Sequence, residues 1–239
     1  MRVMGIDGCR SGWVATIRPL AGGPAERIVT PDLAALMRLP EMAAIAIDMP
    51  IGLPERIGPD GRGPEKALRP RLGERQSSVF SVPARAAVYA QDYADANRLS
   101  LMTSDPPRKV PKQCFFLFPK IREVDGLLRA DPVLAARVHE CHPEGAFMAM
   151  NGGDPLALPK KVKGQVHRPG MEERLRLLID KAAFTPEFLH AIPKGAGWDD
   201  CLDSAACAWS AARIVRGEAM SFPSGPARDA HGLRMVISV

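Results

Sequence analysis

Apolar and polar positions alternate from Arg2 to Asp7, the period of a strand with one face on a core. Gly8-Cys-Arg-Ser-Gly12 reads as a turn and Trp13–Arg18 as a second strand; Ala21-Gly-Gly-Pro24 turns the chain into a short third strand at Arg27–Val29. Thr30 as N-cap and Pro31 at the first helical position open a helix through Arg38. Ala43–Asp48 is a fourth strand, stopped by Met49-Pro50. From about 50 to 135 prolines and arginines are dense, and helical periodicity returns at Glu65–Leu72, Arg85–Leu101 and Lys112–Arg129. This stretch is expected as a helical insertion in a single domain spanning 1–239. Strand character resumes at Ala136–Cys141, and a helix starts at Pro143–Met150. A basic loop, Pro159-Lys-Lys-Val-Lys-Gly164, leads to a helix near Glu172–Lys181. A long helix at Asp199–Arg216 is closed by Gly217 as a C′ glycine, and Gly232–Val239 is a final strand. The pattern predicts an α/β fold whose strands are flanked by helices.

The same alternation aims two acids. Val3, Gly5 and Asp7 share one strand face and Ala44, Ala46 and Asp48 another, with Met4, Ile6, Ile45 and Ile47 behind them. Two strands that present small residues beside a C-terminal aspartate admit close approach by a covering element. The helix at Asp199–Arg216 suits that role, because Ser204–Ala212 carries no charge and so has no solvated face. Asp200 and Asp203, at i and i+3, lie on one side of its first turn, with Asp199 as the cap. Asp7, Asp48, Asp200 and Asp203 are thus expected to converge as metal ligands. Crowded carboxylates repel, and divalent cations bound through oxygen relieve the repulsion; Mg²⁺ or Mn²⁺ is the expected cofactor. Two such ions can activate water and stabilise the leaving oxygen in phosphodiester hydrolysis.

In His139-Glu-Cys-His-Pro-Glu144, strand alternation puts Glu140 and His142 on one face and His139 and Cys141 on the other, which splits any zinc set. Glu140 is a candidate fifth catalytic carboxylate, and Glu144 reads as a first-turn helix acid. Five scattered cysteines, with no Cys-x-x-Cys pair, exclude a disulfide scaffold.

Composition adds a partner. The formal net charge is +5, and basic residues gather in three groups: Arg69, Arg71, Arg75 and Arg85; Lys109, Lys112, Lys120 and Arg122; Lys160, Lys161, Lys163 and Arg168. Basic groups flanking an acidic centre suit a polyanion whose backbone must be held against carboxylates. No apolar run is long enough to span a bilayer, and the N-terminus enters a strand without a signal peptide's apolar core. A cytoplasmic location without membrane association is expected; no pattern indicates an oligomeric state.

The pieces Met4-Gly-Ile-Asp-Gly8 and Asp200-Cys-Leu-Asp-Ser-Ala-Ala206 resemble the first-strand and last-helix motifs of the Holliday-junction resolvase branch of the ribonuclease H-like fold. More closely, the chain resembles the ribonuclease H-like nucleases grouped as domain-of-unknown-function family 429. The resemblance rests on Gly5–Trp13, Ala46–Pro54, Arg69–Arg75, Phe118–Asp125, Glu140–Glu144, Lys160-Lys161 and Trp198–Asp203, in that order. It implies an α/β ribonuclease H-like mixed sheet, three antiparallel strands then parallel ones, with flanking helices and a helical insertion, and a metal-dependent nuclease acting on RNA or DNA. Catalytic acids would be Asp7, Asp48, Asp200 and Asp203 with Glu140, and substrate contacts would come from Arg10, Arg85, Lys120, Arg122, His142 and Lys161.

Two alternatives remain open on the residues alone. One is a nucleic-acid-binding module that keeps the fold without turnover. The other is a phosphoryl transferase of the actin and sugar-kinase type, which wants a second glycine-rich phosphate loop and a duplicated domain. Repulsion among the acids carries an expectation of its own. Asp203→Asn should raise the melting temperature in EDTA and weaken stabilisation by Mg²⁺ or Mn²⁺, both read from melting curves.

Overall fold

A computed structural model describes all 239 residues. The chain opens with β1 (Arg2–Cys9), β2 (Gly12–Pro19), β3 (Glu26–Thr30), α1 (Leu33–Met37) and β4 (Met42–Ile47). Between β4 and β5 (Val138–Glu140) run α2 (Gly63–Leu68), α3 (Arg85–Val88), α4 (Tyr93–Thr103), α5 (Lys112–Phe115), α6 (Phe118–Ala130) and α7 (Pro132–Arg137), with a 3₁₀ stretch at Arg69–Ser78. After β5 come α8 (Pro143–Met150), a hairpin of β6 (Lys161–Val162) and β7 (Gln165–Val166), α9 (Arg168–Ala182), α10 (Pro186–His190) and α11 (Trp198–Arg216). The chain closes on β8 (Ser221–Arg228) and β9 (Arg234–Ser238).

One seven-stranded mixed sheet has the order β3-β2-β1-β4-β5-β9-β8. The β1–β2, β2–β3 and β8–β9 pairs are antiparallel, while β1–β4, β4–β5 and β5–β9 are parallel. Both faces are covered, as parallel strands require. Met4, Ile6, Ile45 and Ile47 pack with α1, α6 and α7, whereas Val3, Ala44 and Ala46 pack with α8, α9 and α11. The two-faced reading of β1 and β4 therefore holds in three dimensions.

The close approach is extreme at Gly5. A Cβ built there would fall inside the van der Waals shells of Ser204 O and Ala208 N, and 2.6 Å from the Cys207 carbonyl carbon. Thr16 and Ala46 flank Gly5 on β2 and β4, and the Thr16 and Ser204 hydroxyls share a hydrogen bond of 2.9 Å. Helix α11 rests on a strip of small residues crossing three strands.

Several boundaries differ from the sequence reading. Asp32, not Thr30, caps α1, accepting from Ala35 N at 2.9 Å. The expected helix at Glu65–Leu72 passes into the 3₁₀ stretch at Arg69. Arg85–Leu101 is two helices because Asp92 caps α4 and starts it afresh, and Lys112–Arg129 breaks at Phe116–Leu117, ahead of Pro119. The basic loop is the β6–β7 hairpin. Strand β8 was not expected: two prolines, one glycine and a mostly exposed face leave no alternation, and such a strand survives only at a sheet edge.

Gly5→Ala is expected to destabilise the protein by more than about 3 kcal/mol, because the clash is with helix backbone that cannot rotate away. Gly126, exposed within α6 with nothing within 4 Å of an added Cβ, gives the opposite sign: Gly126→Ala should stabilise by about 0.5–1 kcal/mol. Urea unfolding of both variants measures the contrast.

Candidate metal centre

Parallel strands β1 and β4 end side by side, and α11 crosses their small-residue face so that its first turns stand over those ends. Asp7 closes the run on β1, Asp48 follows β4, and Asp203 lies on the second turn of α11. One ligand oxygen from each lies within 4.8 Å of the others. Oxygens opposite one another on a divalent cation, with bonds of about 2.1–2.4 Å, are separated by a similar span. Asp7 and Asp203 are buried and Asp48 half-buried.

The partners of the three differ. Asp7 Oδ1 accepts from Gly8 N at 2.7 Å, so the turn-forming role of this aspartate coexists with its place in the cluster. Asp203 Oδ2 is paired with the Lys160 ammonium, while its Oδ1 is buried with no hydrogen-bond partner. Burial pushes the Asp7 carboxyl well above the usual carboxylate range, and repulsion from Asp48, Asp203 and Asp200 adds to it. Burial and the Asp203 charge raise Asp48 to about 8. Asp203 is raised to about 6, since burial outweighs the opposing pull of Lys160. Burial disfavours the Lys160 ammonium, but Asp203, Glu144 and Asp7 outweigh that and push its pKa up.

Asp200 is not in this group. Its Oδ2 accepts from Gly197 N at 2.8 Å, which caps the start of α11, and the helix begins at Trp198 with Gly197 as N-cap. Asp199, expected as the cap, instead pairs with Lys161 at 2.5 Å. The i, i+3 geometry does put Asp200 and Asp203 on one side of the helix, but the backbone amide engages Asp200 first.

Glu140 also departs from expectation. Its register partner is Ile47, so it faces the sheet side opposite Ala46. It is buried against Arg62, which also grips both Glu65 oxygens, and Glu140 Oε2 accepts from Ile51 N at 2.8 Å. Burial raises its pKa to about 7 despite Arg62. Glu140 holds the segment that follows Asp48; it does not join the triad. Glu144 is more than a first-turn acid: it is buried with both oxygens 2.7 Å from Arg174 Nη2.

The expected substrate contacts separate in the same way. Arg85 is buried between Asp125 (2.5 Å) and Asp229 (2.6 Å), tying α3 and α6 to the β8–β9 turn. Lys120 lies 4.2 Å over the Trp13 ring and donates to Gly12 O. Arg122 donates to Phe118 O and Ala90 O. These three are engaged within the fold. Arg10 is exposed, Lys161 is exposed beside Asp199, and His142 borders the cavity at the sheet end. Lys160, noted only as one of a basic group, is the single cation inside the cluster. Forty-three residues separate it from Asp203, and no local spacing signals that pairing.

A family model described as "Protein of unknown function (DUF429)" matches residues 5–228. The chain belongs to that family. No curated protein and no solved structure matches it. All five cysteines are unpaired, and no helix is long and apolar enough to cross a membrane.

The Lys160 pair alters the expectation for Asp203→Asn: relief of repulsion is opposed by stranding a buried ammonium. Asp48, with no donor from the chain, is the cleaner probe. A carboxyl whose folded pKa is raised to about 8 binds its proton while the unfolded chain, near 3.9, has lost it. Stability of the metal-free protein therefore falls as pH rises from about 4 to about 8. In EDTA, Asp48→Asn should gain on the wild type across that window and exceed it by at least about 3 °C at pH 8, the effect of roughly 1 kcal/mol in a chain of this size. Melting curves from pH 4 to 8 show whether the gap opens.

Proposed function

We propose that this protein is a metal-dependent phosphodiester hydrolase acting on nucleic acid, with Asp7, Asp48 and Asp203 as the metal ligands. The observation that carries the reading is the orphaned oxygen: Asp203 Oδ1 is buried among carboxylates with no donor to satisfy it. With all three aspartates ionised, as a bound cation would require, the triad and Lys160 would carry two uncompensated negative charges, the charge that one divalent cation neutralises. The donor set is all oxygen, which suits Mg²⁺ or Mn²⁺ and not zinc. When bound, the cation supplies Lewis-acid polarisation of a phosphoryl oxygen and a water of lowered pKa.

The chain's own residues do the rest. Lys160 tethers Asp203 and leaves Oδ1 free for the metal. Glu140, through Ile51 N and Arg62, fixes the turn that presents Asp48. On the far side of Asp48 a polar groove is bordered by Arg75, Ser77, Lys160 and Lys161, cations and hydroxyls that suit phosphate oxygens. The site lies at the carboxyl ends of parallel strands, where open α/β sheets bind ligands. The ribonuclease H-like reading is supported by the element order: three antiparallel strands, a helix, two parallel strands, then a late acidic helix on the sheet. A sugar-kinase-like transferase would call for a duplicated domain, and this chain is built around one large sheet.

The test is a panel of labelled single-stranded, duplex, hybrid and junction substrates with Mg²⁺, Mn²⁺ or EDTA. Cleavage should require the metal, and Asp7→Asn should lose about 10²-fold or more of the rate, since even outer groups around a metal contribute 10–100-fold. Affinity should fall with salt as counterions are released. Binding with no cleavage of any substrate in either metal would favour the non-catalytic module.

A further inference from the structure

The triad stands on the rim of a second feature, unlike the polar groove. A cavity of about 190 Å³ reaches from Asp7, Gly8 and Asp48 into the body of the protein. Most of its wall area is apolar, from Met49 after β4, Val79, Phe80 and Val82 after the 3₁₀ stretch, and Leu117 and Ile121 at the start of α6, with the buried carboxyls of Glu65 and Glu140 and the His142 ring also on its lining. Most of this wall comes from the helical segment between β4 and β5, which the metal ligands do not use. Across Asp48 the surroundings therefore change from mostly apolar on one side to polar on the other, where Arg75, Lys160, Lys161, Ser77 and Ser78 stand with Glu144 and Asp199. Ser78, Phe80 and His142 border both spaces.

A nucleotide has this polarity. Its phosphate is anionic and hydrogen-bond-accepting; its base is a flat ring system that stacks on aromatic and apolar groups. We propose, building on the hydrolase reading, that the cavity receives one unstacked base of a single-stranded nucleic acid while the groove carries the adjoining phosphates past the triad. The cavity has room for one base and not for a base pair, so a continuous duplex does not fit. Phe80, half-buried on the boundary, offers a stacking surface. His142 lies on the same boundary: Nε2 lies 3.4 Å from Ser78 O, which assigns the proton there. Nδ1 is then an acceptor with no partner in the chain, enclosed behind the cavity wall. Burial lowers the His142 pKa to about 4 and keeps the ring neutral at physiological pH.

Fluorescence anisotropy tests this on the wild-type protein in Ca²⁺, with labelled single-stranded DNA and RNA oligonucleotides and duplexes of the same length. A single abasic site is moved along the strand. The expected result is a single-strand preference of tenfold or more, and one position at which loss of the base weakens binding about tenfold, the scale of one stacked base. Val82→Trp, which fills the cavity, should flatten that profile. Phe80→Ala, at a less buried position, should flatten it as well and serves if the first variant does not fold. An even abasic profile, equal duplex affinity, or no binding to any strand would overturn the proposal. Cleavage is scored separately in Mn²⁺. Equal cutting of abasic and intact strands overturns the base pocket and leaves the hydrolase reading standing. A position-dependent abasic profile with no cleavage keeps the pocket and removes that reading.

Discussion

Helix α11 can lie on the sheet only because Gly5 has no side chain. Backbone of residues 204–208 occupies the space where a Cβ would stand, so the distance between helix and sheet is set by main-chain atoms, which cannot yield as side chains do. The geometry of the carboxylate cluster follows from that spacing. The second turn of α11 is held against the ends of β1 and β4, and Asp203 comes within reach of Asp7 and Asp48. The Thr16–Ser204 hydrogen bond adds a directional tie on the next strand.

Holding three carboxylates together has a cost, and the surroundings show how it is contained. All three resist ionisation chiefly through burial, and Lys160, paired with Asp203, opposes the rise at each of them. Further buried acids are held by arginines, although the charges of Glu140 and Glu144 still reach Asp48. Arg62 takes Glu65 and Glu140, Arg174 takes Glu144, and Arg85 takes Asp125 and Asp229. These pairs link segments far apart in the chain: the turn after Asp48, the helices between β4 and β5, and the β8–β9 turn. Removing one partner of such a pair strands the other. Their arrangement makes them fasteners for the walls of the site.

Much of this was legible in the chain. Alternation in Arg2–Asp7 and Ala43–Asp48 identified the two strands, their small-residue faces and the acids at their ends, because a period of two is a property of the backbone itself. The uncharged run Ser204–Ala212 identified a buried helix, since no solvated face can be drawn on it. Those grounds put Asp7, Asp48 and Asp203 among the expected ligands, with Asp200 beside them, and close approach at Gly5 was implicit in the absence of bulk. Local chemistry also marked the end of α11, where Gly217 takes the left-handed conformation that glycine permits (φ 72°).

What only the tertiary structure decided concerns which charge meets which. Asp200 shares a helix side with Asp203 yet is claimed by the amide of Gly197, an outcome that depends on a single turn of backbone upstream. Glu140 shares a strand end with the triad yet faces away from it, because the β4–β5 register pairs it with Ile47. Arg85, Lys120 and Arg122 carry the same charge in the sequence as Lys160, but the first is buried among acids, the second lies on Trp13, and the third is bound to carbonyls. Periodicity reports the direction of a side chain relative to its own element. The partner it finds there is brought by another part of the chain, often more than forty residues away, and pairing of that range leaves no periodic trace.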